Sequence, residues 1–215
     1  MKLKGSTDKN KVKKRLKGEH RKKGIIFVGK GLFAQKGFYG VTVDQIVDAI
    51  GVSPAVLYRY FSSKESLYDA VLNEISCKRE DYIAAVLEES DDYGSILKRM
   101  SLLYVKSVEK EQDYLRMELY SGLEGNKAIV NFFENRWKPF MDLIEDWLKD
   151  EATTGKLTES DVKSMCLLFQ GMVREALYAK FIYKSSYYND ISIYDLIHKL
   201  LDRFIDIVNC IKKRV

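Results

Sequence analysis

Apolar residues recur along this chain at the three- and four-residue spacing of helices, beginning with a segment from about His20 to Lys36. The residues that this spacing places on one side of the helix are Ile25, Ile26, Val28, Leu32 and Phe33. Gly37 follows the segment, and a glycine in this position typically ends a helix in the left-handed conformation. The pattern therefore predicts a first helix over residues 20–36.

Capping signals predict two short helices next. Thr42 and Gln45 have the spacing of a capping box, in which each side chain satisfies a backbone N–H of the other, so a second helix should begin at Thr42. Gly51 interrupts the pattern after about two turns. Ser53 is a suitable N-cap, and Pro54 behind it is suited to the first helical position, where no N–H is needed. A third helix should therefore begin at Pro54.

The rest of the chain also shows helical patterns. Ser62 and Glu65 repeat the capping-box spacing and predict a long fourth helix over about residues 63–86. Polar and glycine-containing breaks at 90–95 and 122–125 separate further helices, and Thr158 with Asp161 caps another. The later helices are expected over about 96–110, 112–120, 129–150 with a kink at Pro139, from Thr158 onward, and 193–211.

Composition agrees with an all-α protein. The chain has 215 residues, 46% of them hydrophobic, with only 2 Pro and 13 Gly, which favours packed helices over a turn-rich sandwich or barrel. No apolar run approaches the length of a membrane span and no signal peptide follows the lysine-rich start, so we expect a cytoplasmic protein. The three cysteines, Cys77, Cys166 and Cys210, are widely separated and suit neither a disulfide framework nor a zinc site, and we expect no cofactor or metal.

The net charge of +5 conceals two regions of opposite sign. Residues 1–68 carry 15 Lys and Arg against 5 Asp and Glu, whereas the remainder carries 21 against 26. A basic region attached to an acidic body is typical of proteins that bind the phosphates of DNA. A solvated basic tail would account for residues 1–23 equally well, so the charge alone does not decide between these interpretations.

The second and third predicted helices form a candidate helix-turn-helix from about Thr42 to Phe61, in which the helix starting at Pro54 would enter the major groove. Its outward side chains, Ala55, Tyr58 and Arg59, are the candidates for reading bases. Arg59 either makes a bidentate contact to guanine or clamps a phosphate. Catalysis is not expected, because the chain has no glycine-rich phosphate loop after a strand and no nucleophile motif.

Several further residues are candidates for contacts to the DNA backbone. Thr42 and Ser53 lie at predicted helix N-termini, where they either cap the helix or also meet phosphate oxygens. Tyr60 and Lys64 could clamp phosphate from the far side, although Lys64 could equally be a plain surface charge. The complete candidate set for DNA binding is Lys22, Lys23, Thr42, Ser53, Pro54, Ala55, Tyr58, Arg59, Tyr60 and Lys64.

Residues 32–72 resemble the DNA-binding head of TetR-family transcriptional regulators. Five features in register carry the resemblance: Phe38 after the first helix, Thr42 at the start of the second, the Gly-Val-Ser turn at 51–53, Leu-Tyr-x-x-Phe at 57–61 and Ser-Lys-Glu-x-Leu at 63–67. Two positions depart from the family pattern. Val47 stands where a small alanine is common, and Pro54-Ala55 replaces a frequent Lys-Gly, so Lys22 and Lys23 are expected to supply the missing phosphate contact.

The resemblance implies a three-helix DNA-binding head on a larger body of about six helices, which dimerises through the last two helices and binds a small effector. The expected domains are a flexible basic arm at 1–19, a helix-turn-helix domain at 20–68 that continues into a connecting helix to about 86, and an effector-binding and dimerisation domain at 69–215. The broad apolar stripes of the last two helices, with Gly171 and Ala176 permitting close approach, also favour a homodimer.

An aromatic and methionine-rich set in the body is the candidate lining of an effector pocket: Met100, Tyr104, Met117, Tyr120, Trp137, Phe140, Met141, Phe169 and Met172. The same residues would also pack an ordinary core. Glu118, Gln170, Arg174 and Glu175 could orient a ligand or lie on a solvated face. The expected function is a DNA-binding repressor released from a palindromic operator by a small, largely apolar effector. The alternative is a DNA-binding protein whose body binds a protein partner.

Overall fold

The computed structural model describes residues 6–77, 92–125, 127–149 and 157–214, and in these ranges it contains nine α-helices and no strand. The helices are α1 (Ser6–Lys36), α2 (Val43–Ile50), α3 (Pro54–Tyr58), α4 (Lys64–Cys77), α5 (Tyr93–Lys110), α6 (Asp113–Glu124), α7 (Lys127–Lys149), α8 (Glu159–Leu177) and α9 (Ile193–Arg214). A π-helical segment, Tyr178–Ile182, follows α8, and a 3-10 turn, Ser186–Tyr188, precedes α9. The expected all-α fold is confirmed.

The chain divides into two compact units. The head unit contains Met1–Cys77 together with Leu119–Glu124, and the body unit contains Lys78–Glu118 and Gly125–Val215. The division thus falls after Cys77 rather than after residue 68, and the last turns of α6 belong to the head unit. The expected continuation of the fourth helix to residue 86 lies outside the described residues.

The head unit has a continuous apolar core where α1 packs on α2 and α4. The side chains of Ile25, Phe33, Ile46, Leu57 and Leu67 are fully buried in it. Tyr68 meets Phe33 and Phe38 edge to face, with ring centroids 4.7 and 5.1 Å apart, and Phe33 stacks on Phe38 at 6.1 Å. Since such aromatic pairs bury large apolar areas in a defined geometry, they fix the segment after α1 against α4.

Local capping determines where most of the head helices begin. The capping box of Thr42 and Gln45 is confirmed, with N–H to oxygen distances of 3.3 and 3.2 Å in the two directions. Ser53 is the N-cap residue before Pro54, as predicted. The predicted box of Ser62 and Glu65 is wrong by one residue, because Ser63 and the residue three positions on, Ser66, exchange N–H to Oγ bonds of 3.1 and 3.2 Å instead. Helix α4 therefore begins at Lys64.

Two other helix boundaries differ from prediction. Helix α1 begins at Ser6 rather than near His20, so the expected arm is helical from Ser6 onward. Apolar spacing could not indicate this extension, because the only apolar side chains in residues 6–19 are Val12 and Leu16, whereas six of the 14 residues are lysine or arginine, which favour helix but give no apolar pattern. Helix α6 continues through Gly122 to Glu124 and ends before Gly125, which has a φ of 66°. The expected break thus begins three residues later than predicted.

The body unit is built from α5, α7, α8 and α9, which pack on one another around an aromatic core. The capping box of Thr158 and Asp161 is confirmed, with N–H to oxygen distances of 2.8 and 3.2 Å. Asp92, which sequence reasoning did not identify, caps α5 by accepting from the amides of Gly94 and Ser95. Helix α7 runs through Pro139. Among the described residues, no helix has the length and apolar character needed to cross a membrane.

Candidate nucleic-acid interface and effector site

The helix-turn-helix is formed by α2, a tight turn and α3. Gly51 ends α2 with a φ of 72°, a left-handed conformation that glycine adopts without steric cost. Its N–H and that of Val52 bond back to the carbonyls of Asp48 and Val47 at 3.1 and 3.0 Å. These bonds satisfy the last carbonyls of α2 and turn the chain sharply into α3.

Only one side of α3 is buried. Leu57 packs into the head core, and Phe61 is buried just after the helix. The opposite side presents Ala55, Tyr58 and Arg59 to solvent, and Tyr58 is 50% exposed although it is a large aromatic residue. Ser53 and Pro54 at the start of α3 are exposed as well. The residues predicted to read bases therefore share one accessible surface.

A basic residue of α1 joins this surface. Lys22 lines an open surface depression together with Tyr58, Arg59 and Tyr60, and its Nζ lies 5.7 Å from the ring centroid of Phe61. Lys23, next in the chain, is exposed. One lysine of α1 thus lies beside the exposed residues of α3, and its contact to a phosphate stays a prediction.

The two hydroxyl candidates differ in their local roles. The Thr42 hydroxyl accepts from the amide of Gln45, whereas the Ser53 side chain makes no capping hydrogen bond in α3. Both residues are exposed. The Thr42 hydroxyl can still donate its own hydrogen while it caps, so either residue can meet a phosphate oxygen.

Lys64 has an internal role that sequence reasoning missed. Its Nζ donates to the carbonyl oxygens of Phe38 and Val41 at 2.9 and 2.8 Å and lies 4.3 Å from the ring centroid of Phe38. These contacts stabilise the turn between α1 and α2. Two of the three N–H groups of this ammonium are thus committed inside the head, so its predicted phosphate contact would be additional to an anchoring function.

The end of α6 supplies a second anchor for the same turn. The Glu124 carboxylate accepts from the amides of Phe38 and Tyr39 at 3.1 and 3.0 Å. The Tyr120 hydroxyl donates to the carbonyl oxygen of Gln35 at 2.8 Å. Gly37 has a φ of 73°, and a Cβ there would collide with the Glu124 carboxylate and the Tyr120 ring. Tyr120, predicted to line the effector pocket, therefore belongs to the head unit.

Comparison with known proteins identifies the family. Residues 25–71 match the model of the bacterial regulatory proteins of the TetR family. The chain is 28% identical to the HTH-type transcriptional regulator RutR of Escherichia coli over 155 residues, 69% of each chain. It is 38% identical to the HTH-type transcriptional repressor BdcR of Escherichia coli over 72 residues, 34% of this chain and 36% of BdcR. The head of this chain thus carries the TetR-family DNA-binding pattern.

The fold comparison extends over most of the chain. A crystal structure of a TetR-family transcriptional regulator from Bordetella parapertussis superposes with a TM-score of 0.68 and 21% identity, covering 87% of this chain and 95% of that one. The TetR-family fold therefore includes the body as well as the head. The chain is a helix-turn-helix transcriptional regulator that binds DNA.

The body unit brings most of the predicted effector residues together. Tyr104, Trp137, Phe140 and Phe169 form a connected group of rings with centroids 5.0 to 6.5 Å apart. Phe204 of α9 extends the group, 5.4 Å from Phe169. Met100 and Met117 are buried, whereas Met141 and Met172 are partly accessible. These rings and the two buried methionines lie in the core of the body unit, whereas Tyr120 belongs to the head unit.

A charged cluster lies against these rings. Glu118 is only 7% exposed, although a solvated position was one of the two expectations for it, and its carboxylate accepts from the Arg174 guanidinium at 3.1 Å. The Trp137 indole N–H and the Tyr178 hydroxyl donate to the same carboxylate at 3.3 and 3.4 Å. Burial raises the pKa of Glu118, and Arg174 opposes this effect.

The cluster contains a second, unpredicted arginine. Arg136 is 6% exposed, and its guanidinium lies 3.9 Å from the ring centroid of Tyr114 and 5.8 Å from that of Tyr104. It also lowers the pKa of Glu118 through its charge. Of the other polar residues considered, Gln170 is partly accessible and Glu175 is exposed. Among the described residues of the body, Glu118 and Arg136 are buried charged side chains, and the partly exposed Arg174 pairs with Glu118.

Proposed function

We propose that this regulator is a homodimeric repressor, which binds a palindromic operator through two copies of α3 and is released when a small, largely apolar effector binds the body. The observation that carries the proposal is the exposed side of α3. Tyr58, 50% exposed, and Arg59 lie beside Lys22 on a head whose first 68 residues carry 15 basic against 5 acidic side chains. Repression is also supported by the similarity to BdcR, a transcriptional repressor.

The DNA contacts fall into two groups in this proposal. Ala55, Tyr58 and Arg59 face the base edges, where an arginine bound to guanine contributes roughly 1 to 3 kcal/mol of discrimination. The remaining candidates hold the phosphates on either side and orient the head: Lys22, Lys23, Thr42, Ser53, Pro54, Tyr60 and Lys64. Base contacts would select the operator, and phosphate contacts would supply affinity that falls as salt rises.

The dimer would form through α8 and α9. These helices pack on each other in the body, and the outward side of α8 exposes Leu167 and Leu168, at 68% and 46%. On α9, Ile207 is 42% exposed. A Cβ at Gly171, one turn beyond Leu167, would meet no atom of the same subunit, so a partner helix has room to approach there. Burying each of these leucines would contribute roughly 1 to 2 kcal/mol per subunit.

Effector binding in the body would reduce operator affinity by changing the spacing of the two heads. Two recognition helices must lie about 34 to 36 Å apart to enter successive major grooves. In this proposal, ligand occupancy tilts α4, the helix that leads out of the head, and the two copies of α3 no longer match that spacing. The aromatic group around Trp137 and Phe169 offers the apolar surface for such a ligand.

The test begins with selection of DNA sites from a random pool by the full-length protein. The affinity of the enriched site is then measured by fluorescence anisotropy for the wild type and for Tyr58→Ala and Arg59→Ala. Each substitution should weaken binding at least about tenfold, and the double variant should lose specific binding. Sedimentation should give the same dimer mass for all. Control substitutions at exposed residues of the body unit, Arg116→Ala and Tyr187→Ala, should leave affinity unchanged.

Retained operator affinity in the double variant would refute the recognition surface, and a monomer mass for the wild type would refute the dimer.

A thermal-shift screen against apolar compounds tests effector binding, since a ligand at 100 times its dissociation constant stabilises the protein by roughly 2.7 kcal/mol. Absence of any shift, together with stable association with another protein, would favour the alternative of a partner-binding body.

A further inference from the structure

The first half of α1 extends beyond the head core. Helix α1 begins at Ser6, but its first buried residue is Ile25, and residues 19–24 before it are all exposed. The helix thus continues for about five turns, residues 6–24, before it meets the core. We call this part of α1 the basic extension, and packing within the head does not account for its helical structure.

The charge of the basic extension also opposes an isolated helix. It contains nine Lys and Arg against two Asp and Glu, and Val12 and Leu16 alone cannot form an apolar stripe. Two basic residues four positions apart repel each other on a helix. There are four such pairs: Lys9 with Lys13, Lys11 with Arg15, Lys13 with Lys17, and Lys17 with Arg21. A polyanion that neutralises these charges would stabilise the helix.

The basic extension starts at the edge of the recognition surface. Lys22, which belongs to it, lines the same depression as Tyr58 and Arg59. From Lys22 back to Ser6 the helix measures about 24 Å at 1.5 Å per residue. Since one strand of B-DNA advances 3.4 Å per nucleotide, this length corresponds to about seven base pairs. The extension is therefore long enough to follow the duplex well beyond the bases that α3 contacts.

Helical register divides the basic positions of the extension into two sides. Positions 15 and 11 precede Lys22 by about two and three whole turns, so they lie on the same side of the helix axis as Lys22. We call Lys11 and Arg15 the near pair. Positions 13 and 9 are offset from Lys22 by about half a turn and lie on the opposite side, so Lys9 and Lys13 form the far pair.

We propose that the basic extension is a second DNA-binding element, which lies as a helix against the phosphates of the duplex next to the segment read by α3, with the near pair toward the DNA. The inference rests on the proposed function, because it adds a sequence-independent contact to the same complex. An anionic membrane matches the extension less well, because a helix that binds a membrane surface needs an apolar face.

The first test measures operator affinity against salt concentration by fluorescence anisotropy. Each phosphate contact contributes about 0.9 to the slope of log affinity against log salt, so replacing both residues of the near pair with glutamine should lower the slope by about 1.8 per subunit. The same change in the far pair should lower it less than half as much. Lys106→Gln with Lys110→Gln, at exposed positions of α5, removes equal charge and should leave the slope unchanged.

An unchanged slope for the near-pair variant would overturn the inference. Equal losses for the near and far pairs would overturn it as well, because a solvated basic tail has no fixed side.

A second test breaks the helix without changing its charge. Gly18→Pro removes a backbone hydrogen bond inside α1 and clashes with the carbonyl four residues earlier. Operator affinity should fall at least about tenfold, and the footprint in hydroxyl-radical cleavage should shorten by several nucleotides. A Cβ at Gly18 meets no atom within 4 Å, so Gly18→Ala is the matched control and should bind at least as tightly as the wild type. Wild-type affinity and footprint in Gly18→Pro would refute the helical contact.

The inference and the proposed function fail differently. If Tyr58→Ala with Arg59→Ala abolishes specific binding but the near-pair variant and Gly18→Pro bind like the wild type, the recognition surface stands and the second element is refuted. If the near-pair variant and Gly18→Pro weaken binding while the Tyr58 and Arg59 double variant retains operator affinity, the second element stands and the recognition surface is refuted.

Discussion

Glu124 provides a sharp test of how the head is held together. This side chain, at the end of α6, accepts the amide hydrogens of Phe38 and Tyr39 at 3.1 and 3.0 Å, immediately after the end of α1. Replacing it with alanine leaves both donors without their acceptor. Replacing it with glutamine keeps one oxygen but turns an NH2 group toward the other N–H. Both variants should loosen the turn that leads into the helix-turn-helix.

The structure sets the size of the effect. A hydrogen bond to a charged group contributes about 1.5 to 3 kcal/mol, and the bond to Tyr39 is exposed, so its contribution falls at or below the lower end of that range. Glu124→Ala should therefore lose about 2 to 4 kcal/mol of local stability and Glu124→Gln about 1 to 2 kcal/mol. Since 1.4 kcal/mol is a factor of ten, the Phe38 and Tyr39 amides should exchange at least about tenfold faster in the alanine variant.

Hydrogen exchange read by mass spectrometry on peptides covering residues 35–42 measures this directly. Glu134→Ala, a change at an exposed glutamate of α7, is the matched control and should leave exchange in these peptides unaltered. If Glu124→Ala leaves the exchange rates and the operator affinity at wild-type values, then α6 does not anchor the head.

Two more outcomes follow from buried or partly buried charges. Lys64→Met keeps the aliphatic part of the side chain but removes its two hydrogen bonds to backbone carbonyls. Urea unfolding should therefore show that the free energy of unfolding of the head falls by about 1 to 3 kcal/mol. An unchanged free energy of unfolding would contradict the anchoring role. In the same variant, a fall of about 0.9 per subunit in the slope of log affinity against log salt would reveal a phosphate contact as well. Burial raises the pKa of Glu118 above 4.5, so the folded protein holds this proton more tightly than the unfolded chain. As pH rises from 4.5 through the pKa of Glu118 in the folded protein, the free energy of unfolding of the wild type should fall relative to that of Glu118→Gln. If the free energies of unfolding of the two proteins change in parallel with pH, Glu118 is not a buried, desolvated carboxylate.

Sequence reasoning succeeded where the determining interaction is local. Thr42 with Gln45 and Thr158 with Asp161 bond within three residues, so their spacing in the chain is enough to locate a helix start. It failed by one residue at α4, because adjacent serines at 62 and 63 both fit the pattern and only the bonds to Ser66 decide between them.

The parts that could not be predicted depend on distant contacts. The bonds from Glu124 to the turn after α1 join residues 85 and 86 apart, and the pair of Glu118 and Arg174 joins residues 56 apart. A glutamate on a helix surface and one in a core look alike in sequence. Tyr120 was assigned to the effector set for the same reason, since its aromatic character fits a pocket and only the bond to Gln35 reveals its place in the head.

The most direct test of the central claim is a crystal structure of the full-length dimer bound to its selected DNA site. The account predicts one α3 in each of two successive major grooves, with Tyr58 and Arg59 of both subunits within hydrogen-bond distance of bases or phosphates. A complex in which α3 lies away from the DNA, or in which one head alone meets the duplex, would contradict it.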